Sequence, residues 1–229
     1  MNKNKKHINK VFCLFSVIIL SINCRQPVVP TEEDLAGYGW TLYETGEYKE
    51  AREWFYDAVS KDSSYADGFN GIGWCFGKLR QADSAAAYFH ISQTKEFDPY
   101  DTPDLDLDLY AGLTFSYSGM HIDSLVRTYA TYVLVEREEL FIEPYFGWYF
   151  KHEPNINHLD VRLELALADF NMGYFVSCRD NLQSIYNDTY YQSFPSNTVK
   201  SLTMNLESVL GRAELAQILQ TLQQTLKNI

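Results

Sequence analysis

The sequence predicts an all-α fold, an α-solenoid of stacked helix–turn–helix units. Two observations carry that expectation. The stretch around Gly39 to Ala58 superimposes on the stretch around Gly73 to Ser92 under one constant shift: Gly39 falls on Gly73, Trp40 on Trp74, Ala51 on Ala85 and Phe55 on Phe89. A fixed period of that size, about 34 residues, is the mark of stacked helical hairpins, each too small to bury its own apolar face. Within a period, apolar and small residues recur at i, i+3, i+4 and i+7, as in Leu35, Tyr38, Gly39 and Leu42, which puts them on one stripe of a helix.

Composition allows this and excludes much else. The chain has 229 residues, 46% hydrophobic and 21% charged, enough to bury a sizeable core. Four Cys in that length exclude a small disulfide scaffold. A formal charge of −11, from 19 basic and 30 acidic residues, speaks against a nucleic-acid partner.

Residues 1–23 read as a signal peptide. Lys3, Lys5, Lys6, His7 and Lys10 precede an apolar run, Val11–Ile22, interrupted only by Ser16 and Ser21. Twelve helical residues reach only about 18 Å, short of a hydrocarbon core. The run ends almost on Cys24, with Leu20 four residues before it. This resembles a bacterial lipoprotein signal, which implies acylation of Cys24, with residues 24–31 as a tether containing Pro27 and Pro30. Removing residues 1–23 takes away four Lys, leaving 15 basic against 30 acidic residues, a charge of −15.

In the first unit Gly39 sits mid-helix, where it costs about 1 kcal/mol relative to Ala. A helix crossing too close for a side chain would explain it. Gly46 stands where the helix should end on a left-handed residue. Ala51, Phe55 and Ala58 then form the facing stripe of a second helix, small–large–small. The pattern from Leu35 to Ala58 resembles the tetratricopeptide repeat (TPR) family, with Leu35 in place of its opening Trp and Ser63 in place of its closing Pro. The second unit, Ala66 to Pro99, keeps Phe69, Ile72, Gly73, Phe76, Ala85, Phe89 and Ser92. A third is expected over Leu105 to Glu138, with Gly112 in the place of Gly39, then Phe115, Gly119 and Ser124, and with Tyr129 one residue late. A fourth fits Leu159 to Gln192 through Leu165, Ala166, Cys178 and Leu182. The repeat domain therefore spans residues 32–192, with an insertion at 140–158 that carries six aromatics.

Residues 193–229 are expected to cap the solenoid with helices. Ser196 or Asn197 would start one that buries Leu202, Leu206 and Val209. Gly211 would break it before Leu215, Ile218, Leu219, Leu222 and Leu226, leaving a Gln-rich outer face.

No catalytic or cofactor pattern stands out: there is no GxSxG, no phosphate loop and no papain-type Cys/His arrangement. The acidic run Asp98, Asp101, Asp104, Asp106 and Asp108 lacks the Gly and terminal carboxylate of a calcium loop and suits a helix N-terminus better. His90, His121, His152 and His158 lack zinc spacing, although His152 and His158 could orient one another. Cys75 and Cys178 read as buried free thiols.

The TPR resemblance implies a concave groove lined by the first helix of each unit. On this chain that face comprises Trp40, Tyr43 and Glu44; Asn70, Trp74 and Lys78; Leu109, Leu113 and Tyr117; and Leu163, Leu167 and Phe170. Two Trp one unit apart could clamp an extended peptide or a sugar, and the 140–158 insertion could either tuck into the groove or form an exposed ledge. The expectation is thus a non-enzymatic envelope lipoprotein. It would be a protein–protein interaction scaffold that binds a peptide or envelope protein and is held at a membrane by its lipid. The alternative is a carbohydrate-binding accessory of envelope glycan uptake.

Overall fold

The computed structural model describes residues 29–98, 104–139, 147–188 and 201–227. Met1–Thr31 forms a unit by itself, of which only 29–31 are described, so the signal sequence and Cys24 lie outside the described residues. Glu32–Ile229 is the second unit. It contains nine helices among the described residues, running α1 Glu32–Glu44, α2 Tyr48–Lys61, α3 Ala66–Lys78, α4 Ala82–Gln93, α5 Leu105–Gly119, α6 Asp123–Glu139, α7 His158–Asn171, α8 Phe175–Asn187 and α9 Val209–Lys227.

Each helix from α1 to α8 packs on the next, as a repeat solenoid requires. The odd helices α1, α3, α5 and α7 also touch in series, whereas α2, α4, α6 and α8 do not. The row therefore curves, with the odd helices on its inner side.

The period is marked by the backbone. Gly46, Arg80, His121 and Gly173 all have φ between +57° and +87°, each in the turn inside a hairpin. The interval from Gly46 to Arg80 equals the expected period. The next, to His121, is longer by seven, and the last, to Gly173, is longer by eighteen. The extra residues precede α5 and α7.

This ruler corrects the expected third unit by two residues. Its left-handed residue is His121, not Gly119. Its second helix buries Val126, Ala130 and Val133, which take the places of Ala51, Phe55 and Ala58. Gly112 accordingly matches Gly71 rather than Gly39, and Thr114 takes the place of Gly39. The seven extra residues before α5 shifted the register, and Gly112 looked like the familiar mid-helix glycine because the preceding unit has glycines at both positions.

Those paired glycines explain the close packing. A Cβ at Gly39 would lie 3.0 Å from the Phe55 ring, and one at Gly71 would be closer still to the same ring. Phe89 is held in the same way between Gly73, where a Cβ would come within 2.6 Å, and Gly112. Each ring fills a notch between its own hairpin and the next and is pressed from both sides, so it cannot move aside.

Two apolar clusters result. The larger joins α1–α6 with Trp148, Phe150, Val161 and Leu165; the smaller joins α7, α8 and α9 with Leu202. In α1 the buried face is Ala36, Gly39, Trp40 and Tyr43; Tyr38, expected on the inward stripe, is exposed and packs edge-on against Trp54 at 4.6 Å.

The C-terminal segment also departs from expectation. Residues 201–208 are not helical, and α9 starts at Val209, which is 74% exposed rather than buried. Gly211 lies in the first turn of α9 instead of breaking a helix. It packs against the Asn205 carbonyl, where no side chain fits. Leu215, Ile218, Leu219 and Leu222 are buried against α7 and α8, while Gln217, Gln220 and Gln224 lie outside that buried face.

Two substitutions test the notch. Gly71→Ala should destabilise the protein by about 1–3 kcal/mol through overpacking against Phe55. Gly37→Ala, on the same kind of helix but with open space around it, should stabilise it by about 0.5–1 kcal/mol. Urea unfolding followed by circular dichroism reads both signs.

Candidate functional site

The inner face of the first two units holds a segment of the chain itself. Residues 148–158, the described end of the insertion, form a tight loop. The Phe150 N–H donates to the Ile156 carbonyl and the His158 N–H to the Trp148 carbonyl, both at 2.8 Å, around an antiparallel bridge between Tyr149 and Asn157. Gly147 enters it at φ +58°, packed against the His158 ring. Asn157 then opens α7 with a capping box: its side chain accepts the Leu159 N–H, and Asp160 accepts the Asn157 N–H, both at 2.9 Å.

The loop meets almost every residue expected to line the groove in units one and two. His152 stacks on Trp40, centroids 3.9 Å apart and nearly parallel, and Phe150 stacks on Trp74 at 4.0 Å. The same Phe150 ring meets Trp40 and Tyr43 edge-on. Lys78 donates to Glu153 at 2.6 Å, the Tyr43 hydroxyl donates to Glu153 at 3.3 Å, and His152 Nδ1 meets the Glu44 carboxylate at 2.8 Å. Trp40, Tyr43 and Trp74 are consequently buried, and Asn70 is buried as well, donating to Asp67 at 3.2 Å. They are not an open wall of a groove; the chain's own aromatic and acidic loop occupies that part of it.

Residues expected further along are distributed differently. Leu109 and Leu113 are fully buried core, and Tyr117 does not face the inner side. It bonds His90 at 2.8 Å and stacks on Tyr129, among the residues of α4 and α6. The two-residue shift of register is the reason; the inner-face residue of that helix is Phe115, which reaches Trp74. Leu163 is buried, while Leu167 and Phe170 pack against the second cluster, with Phe170 edge-on to Phe175.

The histidines do not orient each other. His152 faces Glu44, and His158 faces Asp188 at 2.9 Å. Burial holds the His152 ring below its usual titration range, against the pull of Glu44. Of the acidic run, Asp101 lies outside the described residues, Asp98 is exposed, Asp104 is the α5 N-cap residue, Asp106 accepts the Leu107 N–H, and Asp108 is buried. Among the described residues no three His, Cys, Asp or Glu side chains gather as metal ligands. Cys75 and Cys178 are buried and free, in different clusters, and burial pushes both thiols up to about 12.

Beyond the loop an open cavity of about 460 Å³ remains, between α3, α4, α5 and α7 and the end of α9. Trp74, Phe89, Phe115, Ile156, Leu163 and Leu226 form its apolar walls, and Lys78, Arg80, Asp160 and Glu164 also line it. Glu164 accepts from the Ser118 hydroxyl. Burial pushes the Asp160 carboxyl up to about 6, outweighing the Asn157 N–H that it accepts. The repeat pattern gave no sign of this cavity, because its walls come from helices separated by the two long intervals. Comparison with protein-family models, with curated proteins and with solved structures found no match.

Phe150→Ala should cost about 3–5 kcal/mol of stability and uncover Trp40 and Trp74; acrylamide quenching of tryptophan emission measures the exposure. Asp108 supplies a pH test. Burial raises its carboxyl well above the usual range, against the bond it accepts from the Trp148 indole at 2.8 Å. A carboxyl raised in the folded state stabilises fully below its unfolded value, about 3.9, and that stability is lost as pH rises through the folded value. Asp108→Asn keeps an acceptor without the charge. The variant should melt higher than the parent at pH 7, and the gap should close toward pH 4 in a series of thermal melts.

Proposed function

We propose that this chain is a non-enzymatic TPR-type interaction scaffold of the cell envelope, secreted by its N-terminal signal and tethered through acylated Cys24, and that it binds a peptide or envelope protein on its inner face. The observation that carries the reading is the occupancy of that face. A turn of the loop, Phe150 to Glu153, closed by the Glu153 N–H on the Phe150 carbonyl at 3.0 Å, sits against two successive units, with its rings stacked on Trp40 and Trp74 and its carboxylate on Lys78. An inner face with those properties suits peptide recognition by aromatic anchors and a charge pair. The open cavity beside it is the place left for a partner. The glycan alternative rests on aromatic content, 17 Tyr, 14 Phe and 4 Trp, and the Trp40 and Trp74 faces on which either a sugar or a peptide could stack are taken up by His152 and Phe150. Among the described residues no helix is long and apolar enough to cross a membrane, and the anchoring in this proposal is assigned to the lipid.

A photocrosslinking residue placed at Arg80, at the cavity, should give a discrete protein adduct in expressing cells, and one placed at exposed Glu53 on α2 should not. Identical adducts from both positions would remove the inner face as the binding site. In the same cells Cys24→Ala should move the protein from the membrane to the soluble fraction; retention in membranes would end the lipoprotein assignment.

A further inference from the structure

Three carboxylates occupy one position in successive units. Counted back from the left-handed turn residue of each hairpin, Asp67 stands as far before Arg80 as Asp108 before His121 and Asp160 before Gly173. The first two each hold an indole. Trp40 donates to Asp67 at 2.8 Å, a bond from one unit to the next, and Trp148 donates to Asp108 at 2.8 Å.

The third is different, and the repeat explains why. Trp74 is the equivalent of Trp40 and by the same rule would donate to Asp108. Trp148 of the insertion has taken that carboxylate. Among the described residues the Trp74 indole N–H is left buried without a partner, in a residue only 5% exposed. One unit further on, the corresponding residue is Phe115, which precedes His121 by the same interval as Trp74 precedes Arg80, and it has no N–H to give. Asp160 therefore receives no indole. Among the described residues its carboxylate accepts backbone N–H groups only. Trp74, Phe115 and Asp160 all line the same 460 Å³ cavity, a volume within the range of small-ligand pockets.

We propose that this cavity is a binding site for an aromatic N–H donor of the indole type, whose N–H bonds Asp160 and whose ring lies against Phe115 and Leu163. The ligand completes at the third carboxylate the interaction that Trp40 and Trp148 make at the first two. A carboxylate acceptor makes this bond about twice as strong as a neutral one, and the apolar walls take the ring. Of the charged groups on the cavity wall, Lys78 is held by Glu153 and Glu164 accepts the Ser118 hydroxyl, while Arg80 is a cation with no acceptor to offer, so the N–H donor is assigned to Asp160. Two sources supply the same chemistry: a free indole compound, or a tryptophan side chain on a partner. A free indole compound would occupy this site whether or not a residue at Arg80 crosslinks a protein.

The test is fluorine NMR with 5-fluoroindole, N-acetyl-5-fluorotryptophanamide and 5-fluoro-1-methylindole added to the folded protein. Saturable broadening by 5-fluoroindole is expected, with the N-methyl compound at least about tenfold weaker, since it lacks the donor to a charged acceptor. Binding of the amide as well assigns the site to a tryptophan side chain; binding of 5-fluoroindole alone assigns it to a free small molecule. Asp160→Asn keeps an acceptor for the Asn157 N–H and should weaken binding about fivefold. Gly77→Leu provides a control on folding: Gly77 lines the cavity with open space around it, and the substitution favours the helix while closing the site. The proposal fails if the N-methyl compound binds as well as 5-fluoroindole, if binding survives Gly77→Leu, or if 5-fluoroindole does not bind.

Discussion

The ring of Phe55, gripped between Gly39 of its own hairpin and Gly71 of the next, is the contact on which this architecture depends. It sets how near one unit lies to the following one, and Phe89 repeats it between Gly73 and Gly112. Close approach of the odd helices follows from these absent side chains. So does the inward curvature, because the even helices have no equivalent series of contacts. At the third hairpin Ala130 stands where Phe55 and Phe89 stood. That small side chain cannot wedge a notch as a ring does, and on the inner side of the same junction the cavity opens between α5 and α7.

Much of this was legible before any coordinates. A regular recurrence of Gly, Ala and Phe encodes a local packing rule, and local rules survive in sequence because they need only neighbouring residues. The all-α solenoid, the left-handed Gly46 and the buried Ala51–Phe55–Ala58 stripe all belong to that class. What was hidden depends on the intervals. Seven extra residues before α5 move the register, which puts Gly112 opposite Gly71 rather than Gly39 and turns Tyr117 away from the inner face. The destination of the insertion lies outside the pattern, since periodicity does not say which surface a run such as Trp148-Tyr149-Phe150 will cover. The Trp–Asp ladder was invisible for a related reason. Trp40 and Asp67 are 27 residues apart, but Trp148 reaches back 40 residues to Asp108, and no period links those two pairs.

The insertion thus acts in two ways. Its aromatic rings extend the core over an inner face that would otherwise expose Trp40, Tyr43 and Trp74. Its indole also takes the hydrogen bond that the repeat would have given to Trp74. An element added to a repeat can in this way change the chemistry of its neighbours without replacing any of their residues. Trp74 keeps its place in the pattern while its N–H loses the partner that the pattern provides.

In a simple solenoid every contact is between adjacent hairpins, so stability propagates along one dimension and the ends need not sense each other. The strap from Trp148 to Glu153 violates that locality: its bonds to Tyr43 and Glu44 join residues 110 and 108 positions apart. The first hairpin is thereby stapled to the chain entering the fourth. That raises the contact order, which slows folding, and welds the N-terminal hairpins into one cooperative block whose closure must await synthesis of residues more than a hundred positions downstream.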